Sequence, residues 1–76
     1  MRTWLKKRRV EAGISCKEMA EKLDFSESYY YMLEAGKRQK NMGMETALKI
    51  AKALDAEWQS VFKEEVEYER DRAHSA

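Results

Sequence analysis

The sequence predicts an all-α protein in which five helices form a single small domain. Good helix formers dominate its 76 residues, no proline is present, and no stretch of residues alternates between apolar and polar side chains. Its three glycines all fall between segments in which apolar residues recur with helical spacing, namely Gly13, Gly36 and Gly43. A chain of this length builds one core, which excludes the large enzyme architectures.

The first helix is predicted over residues 2–12 and ends at Gly13. The second is predicted over residues 16–23, after a Ser15 hydroxyl that can accept a hydrogen bond from the Glu18 amide while Glu18 reaches back. This arrangement is a capping box and fixes the start of the helix. The residues of the second helix that we expect to face inward are Met19, Ala20 and Leu23.

Ser26 is a second candidate N-cap and begins a third helix over residues 27–35, which Gly36 ends. A polar loop over residues 37–43 leads to a fourth helix over residues 44–54. Its predicted inward residues are Met44, Ala47, Ile50, Ala51 and Leu54. A last short helix takes its apolar face from Trp58, Val61 and Phe62. The second and third helices, separated by a short turn, have helix-turn-helix spacing.

Charge is distributed unevenly along the chain. Residues 1–40 carry ten basic and six acidic side chains, and residues 41–76 carry five basic and eight acidic ones, so the local net charges are +4 and −3. The total of +1 by itself neither favours nor excludes a nucleic-acid partner. We expect residues 1–62 to form the domain, and residues 63–76 to be a charged tail that extends the fifth helix and is partly disordered.

Several kinds of site are excluded by composition. A single cysteine, Cys16, forms no intramolecular disulfide, and a single histidine, His74, leaves no set of zinc ligands. No segment approaches the ~20 apolar residues of a membrane span. Neither a paired base and nucleophile nor a phosphate-binding glycine loop is present. We therefore expect a cytoplasmic protein that is not an enzyme and that binds no metal, cofactor or membrane.

Three strings of residues carry a family resemblance over residues 4–62. They are Arg9-x-x-x-Gly13-Ile14-Ser15-x-x-Glu18-Met19-Ala20-x-x-Leu23, Phe25-Ser26-x-Ser28-Tyr29-Tyr30-x-x-Leu33-Glu34-x-Gly36-Lys37-Arg38 and Glu45-Thr46-x-x-Lys49-Ile50-Ala51-x-Ala53-Leu54. In order and spacing they resemble the phage-repressor and Cro-like family of bacterial helix-turn-helix regulators, also called the xenobiotic-response-element family. The resemblance implies a repressor-like five-helix bundle in which Arg9 and Glu34 form a structural ion pair.

The resemblance also implies that the third helix lies in the major groove of duplex DNA. On a helical wheel of this segment, Tyr29, Tyr30 and Leu33 fall on the side that packs. The opposite side matches the base-reading positions of the family, and the candidates for base readout are Glu27, Ser28, Tyr31 and Met32. Because this set contains no cation, readout of guanine by arginine is weakened.

Contacts with DNA phosphates are implied for the loop after the third helix and for the amides at the N-termini of the second and third helices. The candidates for phosphate contact are Lys17, Lys37, Arg38, Lys40 and Asn41. Arg2 and Lys6 are further candidates for the same surface. Cys16 stands where family members often have a glutamine that helps to hold a phosphate, so that contact is expected to be reduced.

The function expected from these features is that of a sequence-specific transcriptional regulator, a repressor of phage or mobile-element type. It is expected to bind double-stranded DNA as a homodimer that forms through Trp58, Phe62 and Val66. An alternative is a protein-interaction module of the same fold, antitoxin-like or an antagonist of another regulator, with a regulatory protein as its partner and weak or lost operator binding. Glu27 supports this alternative, because phosphates at the groove entrance repel its carboxylate.

Overall fold

A computed structural model describes the backbone of residues 1–75 and the side chains of residues 1–72. This part of the chain contains five helices and no strand. The helices are α1 (Thr3–Glu11), α2 (Cys16–Leu23), α3 (Glu27–Glu34), α4 (Met44–Ala53) and α5 (Trp58–Ser75). The predicted all-α bundle with its helix-turn-helix at α2 and α3 is confirmed. None of the described helices is long and apolar enough to cross a membrane.

N-cap residues fix where the two helices of the helix-turn-helix unit begin. The Ser15 hydroxyl accepts from the Glu18 amide at 3.1 Å, and the Glu18 carboxylate accepts from the Ser15 amide at 3.3 Å, which completes the capping box. The Ser26 hydroxyl accepts from the Tyr29 amide at 3.1 Å. Between the two helices, Asp24 adopts a left-handed backbone conformation with φ of 60°. The start of each helix is thus fixed by a hydroxyl group close to it in sequence.

The core lies where the inward faces of all five helices meet. Its buried apolar residues are Leu5, Met19, Ala20, Leu23, Tyr30, Leu33, Met42, Ala47, Ile50, Ala51 and Val61. The prediction that Met44 faces inward is wrong, since its side chain is 56% exposed. Met44 is the first residue of α4, at the edge of the face that Ala47, Ile50 and Ala51 turn inward, and the loop residue Met42 is buried instead.

The last helix, α5, continues beyond the short segment that takes its apolar face from Trp58, Val61 and Phe62, and it includes residues of the predicted tail. Its residues Val61 and Glu65 are buried, and its residues Glu64 and Glu65 form ion pairs with side chains near α1. Residues 63–75 therefore continue the helix that begins at Trp58. The division into a domain and a tail at residue 62, and the partial disorder of the tail, stay predictions; residue 76 lies outside the described residues.

Candidate nucleic-acid interface

One side of α3 faces solvent and the other is buried. Tyr30 and Leu33 are fully buried, whereas Tyr31 is 66% exposed. The four residues predicted to read bases lie together on the solvent side, and we call them the recognition face: Glu27, Ser28, Tyr31 and Met32. With Cys16 of α2 they line a shallow depression of about 480 Å³. The structure thus brings these side chains to a single surface.

The chemistry of the recognition face is acidic, hydroxylic and apolar. A glutamate such as Glu27 can accept a hydrogen bond from the cytosine amino group, and a serine such as Ser28 can donate or accept. Apolar groups suit the thymine methyl group, and the ring of Tyr31 and the thioether of Met32 supply them. No cation lies among these four side chains, so the face carries no donor of the kind that recognises guanine.

The segment between α3 and α4, residues 36–43, is called the α3–α4 loop below. The residues predicted to contact phosphates in this loop are all exposed, namely Lys37, Arg38, Lys40 and Asn41. The amides of Lys37 and Arg38 donate to the Met32 carbonyl at 2.8 and 3.3 Å, which ties the start of the loop to α3. Lys17, in the first turn of α2, is also exposed. The loop cations therefore begin directly beyond the recognition face.

The prediction that Arg2 adds to the phosphate-binding surface is wrong, because its side chain is completely buried. Its guanidinium pairs with both carboxylate oxygens of Glu65, each at 2.9 Å. It also donates to the backbone carbonyls of Leu33, Arg38 and Gln39. Sequence reasoning missed this cluster, since a basic residue near a run of lysines and arginines is normally solvated.

A second buried ion pair joins α1 to the end of α3. Arg9 Nε donates to Glu34 Oε2 at 2.9 Å, and Arg9 Nη2 donates to Glu34 Oε1 at 3.2 Å. The Tyr30 hydroxyl donates to the same carboxylate at 2.6 Å. The hydrogen bond with Glu34 raises the pKa of Arg9, and burial, followed by the bond to Glu34, raises the pKa of Tyr30. This pair is the one that the family resemblance implies, and it fixes the end of α3 against α1.

The three residues predicted to form a dimer contact follow one another at intervals of four along α5. Trp58 is 43% exposed, Val66 is 42% exposed, and Phe62 between them is half-buried against the core. The rings of Trp58 and Phe62 are in contact, with centroids 6.4 Å apart. Residues four apart lie on the same face of a helix, so these side chains form an apolar strip along α5.

A capped helix, a three-residue turn and a second capped helix with an exposed outer face define a helix-turn-helix domain. The chain belongs to the helix-turn-helix family, whose model matches residues 5–59. It is 36% identical over 66 residues to YqaF of Bacillus subtilis (strain 168), described as an uncharacterized HTH-type transcriptional regulator. That match covers 87% of this chain and 83% of YqaF. The family resemblance seen in the sequence is therefore confirmed, and the family is one of DNA-binding regulators.

Proposed function

We propose that this protein is a sequence-specific transcriptional regulator of Cro/C1 type, a repressor of phage or mobile-element type that acts in the cytoplasm. It binds duplex DNA by placing α3 in the major groove, and it needs no cofactor and no catalytic residue. The observation that supports the proposal is the recognition face on the second helix of a helix-turn-helix unit, where Glu27, Ser28 and Tyr31 are exposed and Met32 is half-buried beside them. Similarity to an HTH-type transcriptional regulator supports the same function.

Sequence readout comes from the recognition face. Glu27 accepts from cytosine N4, Ser28 bonds a base edge in either sense, and Tyr31 and Met32 pack on thymine methyl groups. These residues favour an operator half-site in which cytosine and thymine dominate one strand. Exchanging cytosine for guanine at the position that Glu27 contacts should weaken binding, because the face offers no arginine to the guanine acceptors.

Affinity comes from phosphates that the α3–α4 loop and α2 contact. The residues proposed for these contacts are Lys17, Lys37, Arg38, Lys40 and Asn41, together with the amides at the N-termini of α2 and α3. Each subunit then neutralises about three or four phosphates, and a homodimer shows a log–log salt slope of roughly −6. The apolar strip of Trp58, Phe62 and Val66 is proposed as the dimer contact. The resulting dimer binds two half-sites one helical turn apart.

A gel-shift experiment on the DNA upstream of the protein's own gene tests the proposal. Lys37→Ala/Arg38→Ala removes two loop cations, and its control, Lys7→Ala/Lys63→Ala, removes two exposed cations from α1 and α5 with the same change of net charge. We expect the loop variant to lose about tenfold or more in affinity and the control to lose much less. Equal losses in the two variants contradict a specific role for the loop.

The interaction module is kept as a second candidate because of Glu27. This carboxylate is exposed in the first turn of α3, where DNA phosphates repel it and where no cation of the recognition face offsets it. If the protein is an interaction module, neither the wild-type protein nor Glu27→Gln binds any duplex at low salt, and the protein acts through a protein partner. If the regulator reading is correct, Glu27→Gln strengthens binding to random duplex while it weakens selection among sites.

A further inference from the structure

The guanidinium of Arg2 binds to three parts of the fold, namely α3, the α3–α4 loop and α5. It donates five hydrogen bonds, two to the carboxylate of Glu65 in α5 and three to backbone carbonyls. The carbonyls are those of Leu33 at 2.7 Å, Arg38 at 3.1 Å and Gln39. Because a guanidinium carries five N–H groups, every donor of this side chain has an acceptor.

The partner carboxylate is itself held in place. Glu65 is 1% exposed, and the indole Nε1 of Trp4 donates to its Oε1 at 3.1 Å. The ring of Tyr68 lies 5.2 Å from the Arg2 guanidinium carbon, which adds a cation–π contact. Arg2 is thus fixed from the α1 and α5 sides, and the carbonyls of the α3–α4 loop bind to a rigid group.

The loop needs such an anchor because its backbone is unusual. Gln39 has a φ of 48°, a left-handed conformation that costs a residue with a Cβ about 1 kcal/mol and persists where the surroundings impose it. Its carbonyl binds Arg2, and its side-chain amide donates to the Tyr29 hydroxyl at 3.1 Å. With the carbonyls of Arg38 and Gln39 directed inward, the side chains of Lys37, Arg38 and Lys40 are exposed to solvent.

We infer that Arg2 and Glu65 are positioning residues for DNA binding: their buried ion pair holds the α3–α4 loop so that its cations face the phosphates. Neither residue reaches the DNA. The inference rests on the proposed function, since it takes the phosphates of duplex DNA as the partners of the loop. A loop ordered before binding loses less conformational freedom on contact with the phosphates, which strengthens the complex.

Two neighbouring glutamates give a matched test. Glu65→Gln breaks the pair with Arg2, whereas the control Glu64→Gln breaks the pair that Glu64 makes with Arg8, also between α1 and α5, at 2.9 Å. Both substitutions remove one negative charge, so general electrostatics strengthens DNA binding equally in both variants. The positioning role predicts a difference between the two variants. Glu65→Gln should bind DNA about tenfold more weakly than Glu64→Gln, and the magnitude of its salt slope should be smaller by about one per subunit.

A second measurement uses the free protein. Amide hydrogen exchange at Lys37 and Arg38 reports the order of the loop, and Glu65→Gln should speed it severalfold over the control. Arg2→Lys is the milder variant and decides the matter if Glu65→Gln does not fold. It keeps the charge, but its single ammonium group cannot reproduce the fork that binds Glu65 and three carbonyls together. It should shift both measurements in the same direction.

The outcomes separate the two proposals. A folded Glu65→Gln protein that binds DNA as tightly as Glu64→Gln, or a loop that exchanges at the control rate, overturns the positioning role. A wild-type protein that binds no duplex at low salt overturns the proposed function and, with it, the role in phosphate binding. In that case the exchange rates still decide whether the ion pair of Arg2 and Glu65 orders the loop.

Discussion

Replacing Arg9 by methionine should destabilise the fold strongly. The change removes the ion-pair partner of the Glu34 carboxylate, whose side chain is 6% exposed, and leaves it the hydrogen bond from the Tyr30 hydroxyl. Removing one partner of a buried ion pair typically costs about 3–5 kcal/mol, because the other charge stays desolvated. The Tyr30 hydroxyl still donates to Glu34, so we expect a cost near the lower end of this range, about 3 kcal/mol.

That cost is large for a chain of this size. A domain of 76 residues has a free energy of unfolding of about 4–11 kcal/mol. Each kcal/mol lowers the melting temperature of such a small domain by about 4–8 °C, so Arg9→Met should lower it by roughly 12–24 °C. The assay is thermal and urea unfolding followed by circular dichroism, since loss of helix reports the unfolding of the whole bundle.

The adjacent residue provides the control. Arg8 pairs with Glu64 at the same distance of 2.9 Å, but these side chains are 25% and 34% exposed. Arg8→Met should therefore cost about 1 kcal/mol or less. In the double variant Arg9→Met/Glu34→Gln no charge is left buried without a partner, and part of the lost stability should return. If Arg9→Met costs no more than Arg8→Met, the Arg9–Glu34 pair is effectively solvated and the reasoning is refuted.

Three further predictions concern stability measured in the same assay. Gly36→Ala should cost about 1 kcal/mol more than Gly13→Ala. Both glycines have positive φ, but a Cβ at Gly13 would have no neighbour within 4 Å, whereas a Cβ at Gly36 would lie 2.6 Å from the Tyr68 hydroxyl oxygen. Equal costs would contradict a close contact at Gly36. Ser15→Ala should cost about 1 kcal/mol through loss of the capping box, and Ser15→Asp should retain most of the stability. A raised pKa for Tyr30 means that the folded state binds its proton more tightly than the unfolded state does, so stability should be retained below about pH 10 and fall above it; a pH profile that stays flat through this range would count against burial of the hydroxyl.

The parts of the fold that were predictable from sequence depend on interactions between residues close together in the chain. The capping box of Ser15 and Glu18 spans three residues, and glycines at helix ends need only a local backbone conformation. The two sides of α3 follow from the period of 3.6 residues, which separates Tyr30 and Leu33 from Tyr31. Met44 is the informative error, since periodicity alone does not show which end of a helix the neighbouring elements cover.

The Arg2–Glu65 pair was not predictable in the same way. Sixty-three residues separate its partners, and no periodic pattern or local motif connects them. The side chain of Arg2 is also buried by partners that carry no sequence signature, since backbone carbonyls of any residue type accept equally well. The partners of the Arg9–Glu34 pair are also far apart in the sequence, 25 residues, and no local motif connects them. This pair was expected only because the family resemblance implies it.

The ion pairs also change what the uneven charge of the chain means for DNA binding. Arg2 and Arg8 belong to the basic part of the sequence, yet their partners, Glu65 and Glu64, belong to the acidic part. Arg9 is likewise engaged with Glu34, so three of the ten basic side chains in residues 1–40 hold helices together. The cations that we propose for phosphate contact are then those of α2 and the α3–α4 loop, with Lys6 of α1 as a further exposed candidate.

A single subunit with three or four phosphate contacts gives only a weak, salt-sensitive complex. Joining two subunits makes the second half-site contact intramolecular and raises the affinity by about 10²–10⁴ without any new kind of contact. We therefore expect Val66→Glu, which places a charge in the proposed dimer strip, to reduce the salt slope on a two-site operator from roughly −6 to roughly −3. Sedimentation of the same variant should give a monomer. A monomer that keeps the full slope would mean that the subunits bind independently and that the strip on α5 serves another purpose.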